Sequence, residues 1–365
     1  MRTTEKLYLS KIKTDFGDVM GLNMKCPVCG NEKKSLSVSK YDCDVCGFKN
    51  AYIRCFATVS DYNNWKQGVK KAETEWKIKR KSHMISSVRF WIGNSTIAYL
   101  NYDQRNISIV LGNGSIQNEN NVISFSSSER NYALLYDNGT VRVFGDDNSF
   151  GQKKTDEWRG IKCVLTAPNC TYGVTETGQI LFAGSLCNPK IKKWNNIKLL
   201  KVSNDNLIGL NYEGKILMEN DYDSYNCLKD ATVWSGIVDI AVSRDSIIGL
   251  TDEGKVLFSG KKNDSRKHVE DWRNIIAIAL DNAYAYGLSR EGKIYLAGSS
   301  KAFLDRGRSR SSQWNSIISI SCNNAGIGAV NESGDLLFAG TITGDITKML
   351  KTWDSSIKDR IASIE

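Results

Sequence analysis

The chain has 365 residues, 41% of them hydrophobic and 24% charged. That composition excludes a disordered, collagen-like or disulfide-dense chain, and without an apolar run near 18 residues it also excludes a membrane-spanning helix. Charge is uneven: residues 1–85 carry 17 Lys+Arg against 9 Asp+Glu, the remainder 32 against 31, so an anionic partner is expected for the first segment alone.

The stretch Met1–Ser10 has no signal-peptide core, so the sequence predicts a cytoplasmic protein (nuclear if eukaryotic) with no membrane contact. Of the 10 cysteines, Cys55, Cys163, Cys170, Cys187, Cys227 and Cys322 are scattered, as small core residues are in a reducing compartment. The other cysteines form two Cys-x-x-Cys-Gly knuckles, Cys26/Cys29 with Gly30 and Cys43/Cys46 with Gly47. Each spacing lets two sulfurs face one point, and the glycine lets the backbone turn its amides toward sulfur. The pattern resembles a zinc ribbon (residues 1–60, with an N-terminal extension) holding one Zn²⁺ on four thiolates, with hairpin strands at Lys34–Lys40 and Asn50–Val59. Four cysteines close the coordination sphere and the chain has only His83 and His268, so the zinc is expected to be structural. In so small a module metal binding supplies about 10–16 kcal/mol of the folding free energy.

Lys25, Lys33, Lys34, Lys40, Lys49 and Arg54 are interleaved with Tyr41, Phe48 and Tyr52. Basic and aromatic groups together suit DNA or RNA contact, although a solvated surface has the same composition. A basic linker follows over 61–84, where Asp61 is placed to cap a helix from Tyr62 to Arg80. Trp65, Val69, Ala72 and Trp76 share one face, expected to pack on the domain that follows; Lys66, Lys70, Lys77, Arg80 and Lys81 lie beside it as a possible phosphate-facing stripe.

From residue 85 onward a single phrase recurs. In one copy it is a strand over Val238–Val242, a second over Ile247–Leu250, an acidic turn ending in Gly254, a third over Lys255–Ser259, a variable loop, and then Trp272-Arg-Asn-Ile275. Its turn glycine is repeated at Gly114, Gly139, Gly178, Gly214, Gly254, Gly292 and Gly334, with gaps of 25, 39, 36, 40, 38 and 42. A period near 40 built from short strands indicates a β-propeller or a related repeat array over 85–365 in an otherwise all-β chain. The recurring acidic residue before the glycine is explained by hairpin chemistry rather than by a ring of carboxylates.

Trp-x-x-Ile, an apolar strand, Glu-Gly-Lys-Val and a closing Phe-Ala-Gly together resemble the regulator-of-chromosome-condensation repeat family over residues 85–365. The resemblance implies a seven-bladed ring closed by its own tail. The first unit looks incomplete, and Ile357–Ile364 looks like a surplus first strand that would complete it. The family includes exchange factors for small GTPases, docking modules and an inhibitor of β-lactamases. This chain shows no β-wedge insertion of the exchange-factor kind and no export signal, which disfavours nucleotide exchange and extracellular inhibition.

Two histidines, no phosphate-cradling glycine loop and no open metal site predict a non-catalytic protein. Recognition is expected on the variable loops after each third strand. Ser185–Lys193 carries +3 through Lys190, Lys192 and Lys193, and Ser299–Gln313 carries +3, with Lys301, Arg306, Arg308 and Arg310 opposed by Asp305, whereas Glu219–Val233 carries −3. Mixed signs favour a specific protein partner, with the arginine cluster as its anchor and the protein a monomer outside that complex. The alternative is a nucleic-acid-binding regulator acting through residues 1–82.

Overall fold

The recurring phrase folds as a hydrogen-bonded unit that is used seven times. The computed structural model of the chain describes residues 8–14, 17–35, 42–49, 59–185, 191, 193–203, 206–218, 226–298 and 305–364. The chain divides into two compact units, Met1–His83 and Met84–Glu365.

The second unit is a ring of seven antiparallel sheets, a seven-bladed β-propeller. Blade 1 has four strands, Val88–Ile92, Thr96–Asn101, Asn106–Leu111 and Ile116–Asn120, called A to D. Among the described residues blades 2 to 7 have three strands each, and their A strands begin at Val122, Ile161, Ile197, Ile237, Ile275 and Ile317. From blade 2 round to blade 7, and from blade 7 to blade 1, the A strands lie side by side; strand A of blade 2 meets strands B and C of blade 1. Strand B is buried on both faces, over 131–135, 170–174, 246–250 and 326–330, because each sheet is covered by a neighbour on either side.

The packing accounts for each residue of the signature. The B–C turn glycine takes φ near +75° at Gly178, Gly214 and Gly254. It also leaves room for the next blade, since a Cβ at Gly178 would lie 2.6 Å from Asn196 Cα. Its carbonyl accepts a hydrogen bond from the isoleucine of the following Trp-x-x-Ile: Ile161 to Gly139 at 3.0 Å, Ile197 to Gly178 at 3.1 Å, Ile275 to Gly254 at 3.0 Å. The tryptophan lies flat on a glycine in strand B of its own blade, where a Cβ at Gly173 would come within 2.8 Å of the Trp158 ring.

Blade 1 and the tail correct the sequence reading. Gly114 lies in the C–D hairpin of blade 1; the counterpart of the turn glycines is Arg105, at φ +52°, whose carbonyl accepts from Val122 N–H at 2.8 Å. Blade 1 is therefore complete without the tail. Residues Gly344–Ser356 and Lys358–Ala362 form two helices, here α2 and α3, rather than a strand. Thr343 caps α2 by accepting from Ile346 N–H at 3.3 Å. Ile346, Met349, Trp353, Ile357 and Ile361 are all buried, following the helical period in place of the strand period. Trp353 donates its indole N–H to Gly334 O at 2.9 Å, the bond that Trp-x-x-Ile backbones make elsewhere, and meets Phe90 edge-on with centroids 5.7 Å apart. Blade 7 meets blade 1 directly: Ile92 N–H donates to Ser321 Oγ at 3.1 Å and Asn323 Nδ2 to Gly93 O at 2.8 Å. Gly328 makes room there, since a Cβ would come within 2.9 Å of the Phe90 ring.

In the first unit, strands Tyr8–Thr14, Gly17–Lys25 and Glu32–Ser35 form one sheet in that order, so the first knuckle joins its second and third strands. Helix α1 spans Val59–Ser87, longer at both ends than the sequence suggested, and Asp61 lies within its first turn rather than before it. A carboxylate there complements the helix dipole, which explains why it read as a cap. Most of the expected ribbon strands, 36–40 and 50–58, lies outside the described residues. Among the described residues no helix is long and apolar enough to cross a membrane.

Candidate metal centre and loop-face interface

The two knuckles have the same local structure. Gly30 N–H donates to Cys26 O at 3.0 Å and Gly47 N–H to Cys43 O at 2.9 Å, with the glycines at φ +81° and +70°. The first cysteine of each pair also donates its N–H outward, Cys26 to Asn31 O at 2.8 Å and Cys43 to Phe48 O at 3.0 Å. These paired turns bring the sulfurs of Cys26, Cys29, Cys43 and Cys46 within 4.8 Å of one another. Across the knuckles Cys26 and Cys46 Sγ are 3.6 Å apart, and Cys29 and Cys43 Sγ 3.5 Å. Four thiolates at metal–sulfur distances of about 2.3 Å would stand roughly 3.8 Å apart at tetrahedral corners, so the donor set fits a metal ion.

Electrostatics point the same way. Burial pushes the Cys29 thiol up to about 11, against the lowering effect of the Asn31 backbone amide; burial also raises Cys46, with the Phe48 amide opposing it. Without a cation these groups hold their protons. A divalent ion reverses that by stabilising all four anions together.

Helix α1 buttresses the centre. Val69, Ala72, Trp76 and Phe48 pack on the cluster of Cys26, Val28 and Cys43, and Trp65 meets Phe48 with ring centroids 6.4 Å apart. The tryptophan stripe, expected to lie on the propeller, packs on the knuckles. Lys25, Lys49, Lys66, Lys70 and Lys77 are exposed, while Lys33, Arg80 and Lys81 are half-buried. Lys77 pairs with Glu73 at 2.7 Å, one helical turn away. Lys40, Arg54 and the Lys34 side chain lie outside the described residues.

On the propeller, the loops after strand C share a face with the A–B turns. Arg306 and Arg310 are exposed there, as is Lys193, while Lys190 and Lys192 lie outside the described residues. Arg308 is not on the surface. It is 4% exposed, its Nε donating to Asp281 Oδ2 at 2.8 Å and its NH2 to Asn324 O at 2.7 Å. Asp281 is fully engaged, accepting also from Ala283 N–H, Tyr284 N–H and Tyr286 OH. Arg308 is therefore an anchor inside the ring, a correction to its reading as a partner contact. Arg266, six residues before Trp272 as Arg308 is before Trp314, does the same between blades 5 and 6 and was missed by sequence reasoning. Their shared offset from Trp was the available signal.

No family model and no curated protein matches the sequence. Solved structures do. The CRINKLY WD40 ectodomain of the Arabidopsis thaliana receptor kinase ACR4 is 13% identical, over 70% of this chain and 94% of that one, with a TM-score of 0.52. Yeast RCC1 (Prp20), solved bound to Kap60, is 11% identical, over 73% and 83%, at a TM-score of 0.46. At such an identity the first likeness is one of fold, and the fold is the β-propeller.

Proposed function

We propose that the chain is a non-catalytic interaction scaffold whose propeller loop face binds a protein partner, while the knuckle–helix unit, holding one structural zinc, docks the complex. The carrying observation is the loop around Arg308. Its buried guanidinium ties residues 305–310 to Asp281 and Asn324, so Arg306 and Arg310 are presented on a fixed base. A loop whose backbone is already held loses little backbone freedom on binding, which favours it as the base of an interface anchor. The motif resemblance to regulator-of-chromosome-condensation repeats supports the same class of role.

The test is affinity purification with the full chain beside an Arg306→Glu/Arg310→Glu variant, both under nuclease treatment. A partner retained by the first and lost by the second supports the reading; equal retention by both removes it.

A second reading has its own observation. Lys25, Lys49, Lys66 and Lys70 are exposed on the knuckle–helix unit, in the segment that holds the chain's basic excess. Nucleic acid is the anionic partner that such a surface fits, and its binding would weaken steeply with salt. Mobility-shift titration at two salt concentrations decides it: no complex at low salt eliminates nucleic acid as the partner.

A further inference from the structure

Going round the ring, the chain repeatedly seals the outer seam between adjacent blades with a segment placed after strand C. Between blades 4 and 5 the sealing segment is Asn226–Val233, with Leu228 buried; between 5 and 6 it is Ser265–Asp271, with Arg266 buried; between 6 and 7 it is Arg308–Gln313, with Arg308 buried. Gln152, wholly buried, belongs to the corresponding segment after blade 2, and α2 contributes Ile346, Met349 and Trp353 between blades 7 and 1. Blade 1 departs from this scheme. Its strand D ends at Asn120 and strand A of blade 2 starts at Val122, so one residue, Asn121, makes the whole connection. A cleft of about 980 Å³ lies at that seam, lined by blade 1, blade 2 and the first turn of α2.

The turn backbone at the cleft follows that of the seams filled by arginine, while the side chains differ: Gly93 and Ser95 stand where Ser243 and Asp245 do, and Ser128 where Asp281 does. Arg266 donates to Ser243 Oγ at 3.0 Å and to Asp281 O at 3.1 Å, which bridges the A–B turns of two blades, and to Asp245 Oδ1 at 2.7 Å. The A–B turn of blade 2 has the same backbone form: Ser128 N–H donates to Asn131 O at 2.8 Å, as Ser243 does to Ser246 and Asp281 to Tyr284 at 2.9 Å. The cleft is acidic, lined by Glu129, Asp146, Asp147 and Asp345 against Arg130 and Lys348, and Arg130 lies 4.0 Å from Asp147. Tyr132 and Phe144, stacked with centroids 5.2 Å apart and 11° between planes, form an aromatic wall.

We propose that the seam between blades 1 and 2 is a docking site for a short basic segment of a partner protein, whose arginine stands where Arg266 and Arg308 stand in the filled seams. A guanidinium entering the cleft meets several carboxylates and the backbone of the A–B turn, which its planar fork of donors matches better than an ammonium does; Arg142 already lies over the Phe144 ring at 5.8 Å, a guanidinium on the same aromatic stack. The proposal rests on the scaffold reading and adds to it a second contact with its own partner chemistry.

The probe is a labelled peptide copying residues 305–314, the chain's own basic seam segment, titrated by fluorescence anisotropy into the full chain. Saturable binding is expected, weakened about tenfold or more when the peptide's central arginine, the copy of Arg308, becomes glutamine, as loss of a charged hydrogen bond implies. Glu129→Gln/Asp146→Asn, both exposed positions, should weaken it in the same sense, and Ser95→Trp should block the cleft outright. An equal response to an all-glutamine peptide, no saturation by about 1 mM, or binding undisturbed by the double substitution each overturns the proposal. If a protein partner is captured through Arg306 and Arg310 while the cleft variants change nothing, the cleft proposal falls and the scaffold reading stands.

Discussion

The two units of the chain hold themselves together by different means. Among the described residues of Met1–His83 the buried cluster is Cys26, Val28 and Cys43, with Val69, Ala72 and Trp76 of α1 leaning on it. In Met84–Glu365 every blade contributes a buried strand B, and residues as large as Trp353, Tyr172 and Tyr286 are almost wholly enclosed. Clustered cysteines can draw folding free energy from a metal ion, whereas a ring of repeats obtains it from contacts between neighbours. The first unit should then answer to metal and the second to closure.

The largest effect that would separate them is Cys43→Ser. Loss of one thiolate should remove most of the roughly 10–16 kcal/mol of metal-linked stabilisation from the first unit. Near-ultraviolet circular dichroism of Trp65 and Trp76 should collapse while the propeller's unfolding transition stays in place. A variant that keeps one metal ion per chain would break the comparison.

Trp353→Ala comes next and acts on the other unit. It deletes a fully buried indole, its bond to Gly334 O and its edge contact with Phe90. Chemical denaturation should show a loss of about 3–5 kcal/mol in the propeller, with metal content unchanged. Truncation before Gly344 should be worse, because it also removes Ile346 and Met349 and uncovers Phe90, Tyr99 and Leu336, which cluster with them.

Smaller effects sharpen the account of the turn glycines. Gly178→Ala meets both a positive φ and a Cβ position 2.6 Å from Asn196 Cα. Gly236→Ala meets the positive φ alone, with nothing within 4 Å. The first should cost about 2–3 kcal/mol and the second about 1, measured by thermal melts; equal losses would show that the close approach to the next blade is unimportant.

Least in size is the response to acid. Burial raises Asp245, but Arg266 and Lys261 outweigh it and hold the carboxyl below its usual range; Lys358 and Asn331 lower Asp335. A depressed folded pKa gives stability that is present above the unfolded value, near 4, and lost as pH falls through the folded one. The propeller's melting temperature should be level from neutral pH to about 5 and decline below about 4, and Asp245→Asn should flatten that decline.

Much of the fold was legible because its signals are backbone requirements. Gly178, Gly214 and Gly254 recur because the turn needs a left-handed residue close to the next blade, and Trp158 recurs because it covers the glycine of strand B. The cysteine knuckles were legible for the same reason, since Gly30 and Gly47 close identical turns. The reading failed where a residue type was shared by two environments. Trp353 and Ile357 imitate the repeat yet obey the helical period set by Ile346 and Met349. Gly114 imitates a turn glycine, whose place is taken by Arg105. Arg308 lies between two exposed arginines in sequence and differs from them only in facing Asp281, a partner 27 positions away that no local pattern reveals.

The claim beneath these contrasts is that metal organises one unit and self-closure the other. Differential scanning calorimetry of the full chain, with and without a zinc chelator and alongside metal analysis, tests it most directly. The account predicts one zinc ion per chain and two transitions, of which the chelator abolishes only the one belonging to residues 1–83. A single transition that the chelator shifts as a whole, or a chain that carries no metal and still shows both, would contradict it.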